Sequence, residues 1–142
     1  MTIRAILDAR TLDVITINGS ESVGAAVRLL AERRIGALPV VDGDVVVGIF
    51  SERDVIYGLE REGAALLDRA VSEVMTAPAV TADPDQSVLG ALSLMTKRRI
   101  RHLPIVVEGA LAGFVSIGDL VKHRMDRIEA EANAMRDYIQ SG

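Results

Sequence analysis

Two copies of one pattern, laid end to end, limit what this chain can fold into. Setting residue n against residue n+65 from Ile15/Val80 to Tyr57/Lys122 gives 14 identities in 43 pairs. They include Thr16/Thr81, Ser22/Ser87, Arg33/Arg98, Arg34/Arg99, Leu38/Leu103, Pro39/Pro104, Gly48/Gly113, Ser51/Ser116 and Asp54/Asp119. The two halves are one fold used twice. Core packing accounts for the repeated apolar positions, but it gives no reason to repeat a polar set ending in Gly-x-x-Ser-x-x-Asp. Function is to be sought in that set.

Periodicity supplies the elements of each copy. Ser22 precedes Val23, Ala26, Val27 and Leu30, and Ser87 precedes Val88, Ala91, Leu92 and Met95. That spacing predicts two capped amphipathic helices. Both end in arginine pairs, where cations favour the macrodipole. Apolar runs Leu38 to Val41 and Val45 to Phe50 flank Asp42-Gly43-Asp44, and Leu103 to Val107 and Ala110 to Val115 flank Glu108-Gly109, so each copy carries a β-hairpin. A helix then opens at Ser51 and at Ser116. Short strands at Val14 to Ile17 and Ala79 to Ala82 precede the first helices. Each unit reads β-α-β-β-α, and the chain as α+β.

Ile3, Ile6 and Leu7 match Val71, Val74 and Met75 at an offset of 68, so an apolar lead-in precedes each copy and the repeat slips by three residues between Asp8 and Val14. Glu60-Arg61-Glu62-Gly63 reads as the polar link. The expected division is residues 1–62, residues 63–125 and a helical tail, 126–142. A unit of about 60 residues buries little core alone, so two pseudo-twofold-related units facing each other across a shared cleft are expected.

The polar motif has a structural reading and a chemical one. Ser followed three residues later by Asp closes a capping box at a helix start. A capping box calls for neither the preceding glycine nor Asp in place of Glu or Gln. Glycine there would let a ligand approach the backbone, free N–H groups of the first turn with the Ser hydroxyl would seat a phosphate, and an ionised Asp could accept both hydrogen bonds of a ribose diol.

With Arg-Arg-Ile-x-x-Leu-Pro-Val/Ile-Val before the hairpin and Gly-x-x-Ser-x-x-Asp after it, twice, the chain resembles a tandem cystathionine-β-synthase (CBS) domain pair, or Bateman module, over nearly its whole length. It is most similar to small stand-alone bacterial members. The resemblance implies two CBS units packed sheet to sheet and an adenosine-containing ligand, AMP, ADP, ATP or NAD(H), in the inter-unit cleft, with no cofactor required. It also implies that Asp54 and Asp119 hold riboses, that Ser51 and Ser116 meet phosphates, and that Thr16 and Thr81 border adenine. Arg101 and His102, with Pro104 of the same segment, would reach the phosphate of the nucleotide held by Asp54, and Gly36 and Ala37 take the corresponding place for Asp119.

The two sites then differ in charge. A phosphate near a carboxylate costs about 2 kcal/mol at an effective dielectric near 20, so a phosphate site wants a cation. Asp54 has Arg53, Arg101 and His102 as candidates, whereas Asp119 has Gly118, Gly36 and Ala37 at the matching positions. Tighter binding of phosphorylated ligands is expected at Asp54.

In the tail, Val121, Met125, Ile128, Ala132, Met135 and Ile139 form an a/d seam of under three heptads, able to pack back on its own unit or on a second copy. The resemblance implies a homodimer, to which the tail is expected to contribute. No apolar run reaches the roughly 20 residues of a membrane span, and no apolar stretch follows the N-terminus as in a signal peptide, so a cytoplasmic protein is expected. Cys is absent and His numbers two, which excludes disulfides, thiol chemistry and a histidine-rich metal site. A net charge of −4 and only four aromatics (two Tyr, two Phe) argue against a nucleic-acid partner. Neither histidine has a nucleophile beside it, so the expectation is a non-catalytic sensor whose ligand biases a conformation that an unidentified protein target reads. The alternative is a structural dimerisation module with empty clefts.

Overall fold

The computed structural model describes residues 1–10 and 13–141; residues 11 and 12, inside the stretch where the repeat slips, and residue 142 lie outside the described residues. In chain order the elements are α1 (Ile3–Asp8), β1 (Ile17–Asn18), α2 (Val23–Arg33), β2 (Ala37–Asp42), β3 (Val45–Ser51), α3 (Glu52–Glu62), a 3-10 helix (Gly63–Asp68), α4 (Val71–Val74), α5 (Val88–Arg98), β4 (His102–Val107), β5 (Ala110–Ser116) and α6 (Ile117–Ser141). The fold is the α+β pair of repeated units with a C-terminal helix.

Local chemistry explains the repeated elements. The Ser22 hydroxyl accepts from the Ala25 N–H at 3.0 Å and the Ser87 hydroxyl from the Gly90 N–H at 2.9 Å, which fixes the starts of α2 and α5. Each helix stops on an arginine in the left-handed region, Arg34 at φ 53° and Arg99 at φ 55°. Beyond it the Ile35 N–H donates to the Leu30 carbonyl at 3.1 Å and the Ile100 N–H to that of Met95 at 3.0 Å. This six-to-one closure turns the chain out of the helix and into the next strand. The second arginine of each pair is thus a backbone cap as well as a charge at a helix end.

The hairpins pair Leu38 with Phe50 and Val40 with Gly48, and Leu103 with Val115 and Ile105 with Gly113. They join into one sheet, order β1-β2-β3-β5-β4, through the Val45–Ala110 pair and a 2.9 Å bond from the Leu111 N–H to the Asp44 carbonyl. The first strands are shorter than the periodicity predicts. β1 is two residues long, and its counterpart is a single bridge from Ala82 to Ile105, flanked by Pro78 and Pro84, which lack the N–H a longer ladder needs. The stretch expected as a polar link is also partly helical. Glu60 to Glu62 finish α3, and the 3-10 helix after Gly63 folds Leu66 into the first core, tight enough that a Cβ on Gly58 would lie 2.5 Å from Leu66 Cδ1.

The lead-ins cross over. Ile3 and Ile6 are buried with Val88, Met95, Leu103, Ile105 and Leu120 of the second unit, while Leu66 and Val71 are buried with Val23, Leu38, Val40 and Phe50 of the first. Backbone bonds repeat the exchange symmetrically. The Ile3 N–H donates to the Gln86 carbonyl at 3.0 Å and Thr2 bridges Ser87; the Val71 N–H donates to the Glu21 carbonyl at 2.8 Å and Ala70 bridges Ser22. Each hydrophobic core is therefore built from both halves of the sequence, and neither half buries its own lead-in.

This crossover explains the motif glycines and corrects their expected role. A Cβ on Gly48 would lie 2.9 Å from the Thr76 carbonyl oxygen and 2.6 Å from Met75 Sδ; one on Gly113 would lie 2.5 Å from Leu7 Cδ2. The space beside each glycine is filled by a lead-in, not left open for a ligand. Beyond Leu120, α6 leaves the body of the fold: Met125, Ile128, Met135 and Ile139 are exposed. Among the described residues no helix is long and apolar enough to cross a membrane.

Candidate functional site

A cavity of about 670 Å³ lies between the units, in the size range of small-molecule sites. Its walls come from five places in the chain. The lead-in brings Ala9 and Arg10, the approach to β1 brings Asp13, Val14 and Ile15, the α2–β2 corner brings Arg34 to Ala37, the second hairpin brings His102 and Phe114, and the start of α6 brings Ser116 and Asp119. Of the residues singled out by the motif and the resemblance, Gly36, Ala37, His102, Ser116 and Asp119 meet here.

Asp119 closes a capping box. The Ser116 N–H donates to its Oδ2 at 2.8 Å, and the Asp119 N–H donates to the Ser116 hydroxyl at 3.1 Å. Arg10 adds a charge: one guanidinium nitrogen pairs with Oδ2, and another donates to the Phe114 carbonyl. Burial pushes the Asp119 carboxyl up, but the Ser116 bonds and the Arg10 charge outweigh it and hold it below the usual carboxylate range. The group is an ionised acceptor at neutral pH. Its Oδ1 accepts no hydrogen bond from the described residues.

Asp54 starts α3 in the same way, yet it is spent. Its Oδ2 accepts from the Ser51 N–H at 2.9 Å and from the Ser51 hydroxyl at 3.2 Å, and its Oδ1 from the Thr76 hydroxyl at 3.0 Å. Thr76 belongs to the crossed-over segment that pairs with Ile49. Both oxygens are thus held by the protein's own donors, and neither Ser51 nor Asp54 lines the cavity.

The charges also fall differently from expectation. His102 lines the Asp119 cavity, its ring stacked on Phe114 at 5.5 Å and 15°. Burial lowers its pKa, against the raising effect of Asp119 and Glu52 and with a further lowering from Arg101, so the imidazole is neutral at pH 7. Gly36 lies against the ring: a Cβ there would be in van der Waals contact with His102 Cε1, at 3.4 Å. Arg53 and Arg101 are exposed and outside the cavity, and the Arg101 carbonyl accepts the first N–H of α6, from Ile117, at 2.8 Å. Gly36 does the same for the Glu52 N–H of α3 at 3.1 Å. Much of the helix-start donor set expected to seat a phosphate is therefore already used. Neither Arg53 nor Arg101 lines this cavity; the positive charge on its wall comes from Arg34 and from Arg10, which the crossover carries to the second unit.

Three further candidates lie elsewhere. Thr16 lines a separate cavity of about 330 Å³ with Asn18, Glu21, Arg28 and Glu32. Thr81 is exposed, and Pro104 is buried in β4 with its carbonyl accepting the Ala82 N–H at 3.0 Å. The lining residues that sequence reasoning missed are Ala9, Arg10, Asp13, Val14, Ile15, Arg34, Ile35 and Phe114. The signal for Arg10 was present: it sits in the stretch where the repeat slips, so it has no aligned partner in the second copy.

The CBS-domain family model matches residues 3–61 and 71–126. The chain belongs to the CBS-domain family. The CBS domain-containing protein YhcV of Bacillus subtilis is 32% identical over 126 residues, 89% of each chain. The crystal structure of the CBS-domain containing protein ATU1752 from Agrobacterium tumefaciens superimposes with a TM-score of 0.81 at 40% identity, over 87% of this chain and 92% of that one. CBSX2 in complex with AMP is similar with a TM-score of 0.71 at 25% identity, over 80% and 89%. Inosine-5′-monophosphate dehydrogenase of Methanocaldococcus jannaschii also matches, but this chain spans 22% of its length, which makes the match no argument for dehydrogenase chemistry. CBS domains are generally regulatory and non-catalytic.

Proposed function

We propose that this CBS pair is a regulatory module that binds one adenine nucleotide per chain, in the cleft at Asp119, and signals through a change in how the two units sit together. The observation that carries this reading is the unequal state of the two motif carboxylates. Asp119 is ionised, lines a cavity of about 670 Å³ and keeps Oδ1 without a partner among the described residues, whereas both oxygens of Asp54 are occupied. A carboxylate accepts hydrogen bonds from a ribose diol, and the apolar Val14, Ile15 and Phe114 offer surface to a base. That CBSX2 holds AMP supports an adenosine ligand. Because the cavity walls come from both units, a ligand that fits them favours one arrangement of the pair by its differential affinity, with no chemical step. AMP comes first, with ADP, ATP and NAD(H) as larger members of the same class.

Thermal melting tests the reading. AMP at 100 times its dissociation constant stabilises the folded chain by about 2.7 kcal/mol and raises the melting temperature by several degrees. No shift with AMP, ADP, ATP or NAD(H) refutes it and favours the structural alternative.

One observation favours an added dimerisation role: Met125, Ile128, Met135 and Ile139 form a seam on α6 that neither unit covers. In this proposal a second copy covers it, and the module is a homodimer. Truncation after Asp126 is expected to shift the solution mass from dimer towards monomer; an unchanged dimer shows that the tail is not the interface.

A further inference from the structure

We propose that Arg10 is the phosphate-recognising group of the Asp119 cleft, and that without ligand it occupies the ribose carboxylate, from which the incoming phosphate draws it away. The inference rests on the nucleotide reading above and deepens it, because it makes the cleft selective for phosphorylated nucleosides. Among the described residues the Arg10 side chain makes two polar contacts, to Asp119 Oδ2 and to the Phe114 carbonyl. A guanidinium has five N–H donors, so about three remain for a ligand. Its side chain is about one third exposed, at 31%, on the cavity wall, so it is free to swing without breaking a packed core.

The exchange balances in charge and in hydrogen bonds. A nucleoside 5′-phosphate brings an anion for Arg10 and two hydroxyls for Asp119. When the guanidinium turns to the phosphate, Oδ2 is released, and both carboxylate oxygens can accept from the diol while the Ser116 N–H keeps its bond to Oδ2. A nucleoside without phosphate has no group to offer Arg10. It must share the carboxylate through Oδ1 alone, or break the ion pair without replacing it. Nothing equivalent operates at Asp54, where the matching lead-in contact is the neutral hydroxyl of Thr76. Arg34, on the same cavity wall, adds positive charge but makes no ion pair with Asp119.

Titration calorimetry of AMP and adenosine with the full chain and its Arg10→Gln and Arg10→Lys variants tests this. Wild type is expected to bind AMP at least tenfold more tightly than adenosine. Arg10→Gln loses tenfold or more for AMP while adenosine keeps or gains affinity, since no ion pair with Asp119 is left to break, and Arg10→Lys keeps part of the AMP preference. Equal affinities of wild type for AMP and adenosine overturn the inference without any variant and leave the nucleotide reading standing. A preference for AMP that survives Arg10→Gln also overturns it, as does an equal loss for both ligands in that variant. Failure of wild type to bind either ligand refutes the nucleotide reading itself, and this inference with it.

Discussion

Asp119→Ala is expected to weaken AMP binding by about 100-fold or more, and Asp54→Ala by less than about threefold. The first figure follows from losing two hydrogen bonds to a charged acceptor, each contributing about 1.5–3 kcal/mol. The second follows from Asp54 having both oxygens engaged by Ser51 and Thr76 outside the cavity. Asp54→Ala should register in stability instead, by about 0.5–2 kcal/mol, since it removes the capping interaction at the start of α3. Calorimetric titration of both variants, with a melt of each to confirm folding, decides the matter. Equal loss of affinity in the two would show that the clefts are equivalent and that the asymmetry of the carboxylates has no bearing on binding.

Ile3→Ala is expected to destabilise the chain by about 2–5 kcal/mol, the range for truncating a large buried aliphatic side chain. Residues this close to a terminus ordinarily fray and tolerate change. Here the side chain is fully buried, in contact with the second unit's core, and the backbone around it is held by the Ile3 to Gln86 bond. Against a total stability of about 5–15 kcal/mol this is a large fraction. Urea denaturation monitored by circular dichroism measures it, with Tyr138→Ala, exposed on α6 and off the seam, as the comparison, expected within about 0.5 kcal/mol. A change below 1 kcal/mol for Ile3→Ala would mean that the lead-in does not complete the second core.

These two results share a cause. The exchange of lead-ins puts α1 on the second unit and α4 on the first, and the three-residue slip of the repeat then leaves different residues beside the two motif carboxylates. At Asp54 the neighbour is Thr76, which satisfies the carboxylate; at Asp119 it is Arg10, which charges the cleft. One duplicated frame thereby carries two unlike sites.

Much of the frame was legible in the residue order because the interactions that set it are short-ranged. Ser22 caps the N–H of Ala25, Ser87 that of Gly90, and Ser116 that of Asp119, each three residues away. The hairpins close over turns of two residues, and apolar spacing marks which face of α2 and α5 is buried. The repeat doubled every such signal. The motif glycines show where such reading stops: their spacing was plain, but that Met75 and Leu7 fill the space beside them depends on which core each lead-in joins.

Residue order thus dictated two copies of a capped helix, a hairpin and a carboxylate-bearing helix start, since each forms through contacts within a few positions along the chain. The choice between the two carboxylates lay in the folded arrangement, where Arg10 meets a carbonyl 104 residues away and lies beside Asp119. An apolar lead-in fits either of two similar cores equally well by pattern, and only the path of the connecting chain and the packing of both cores at once select the partner.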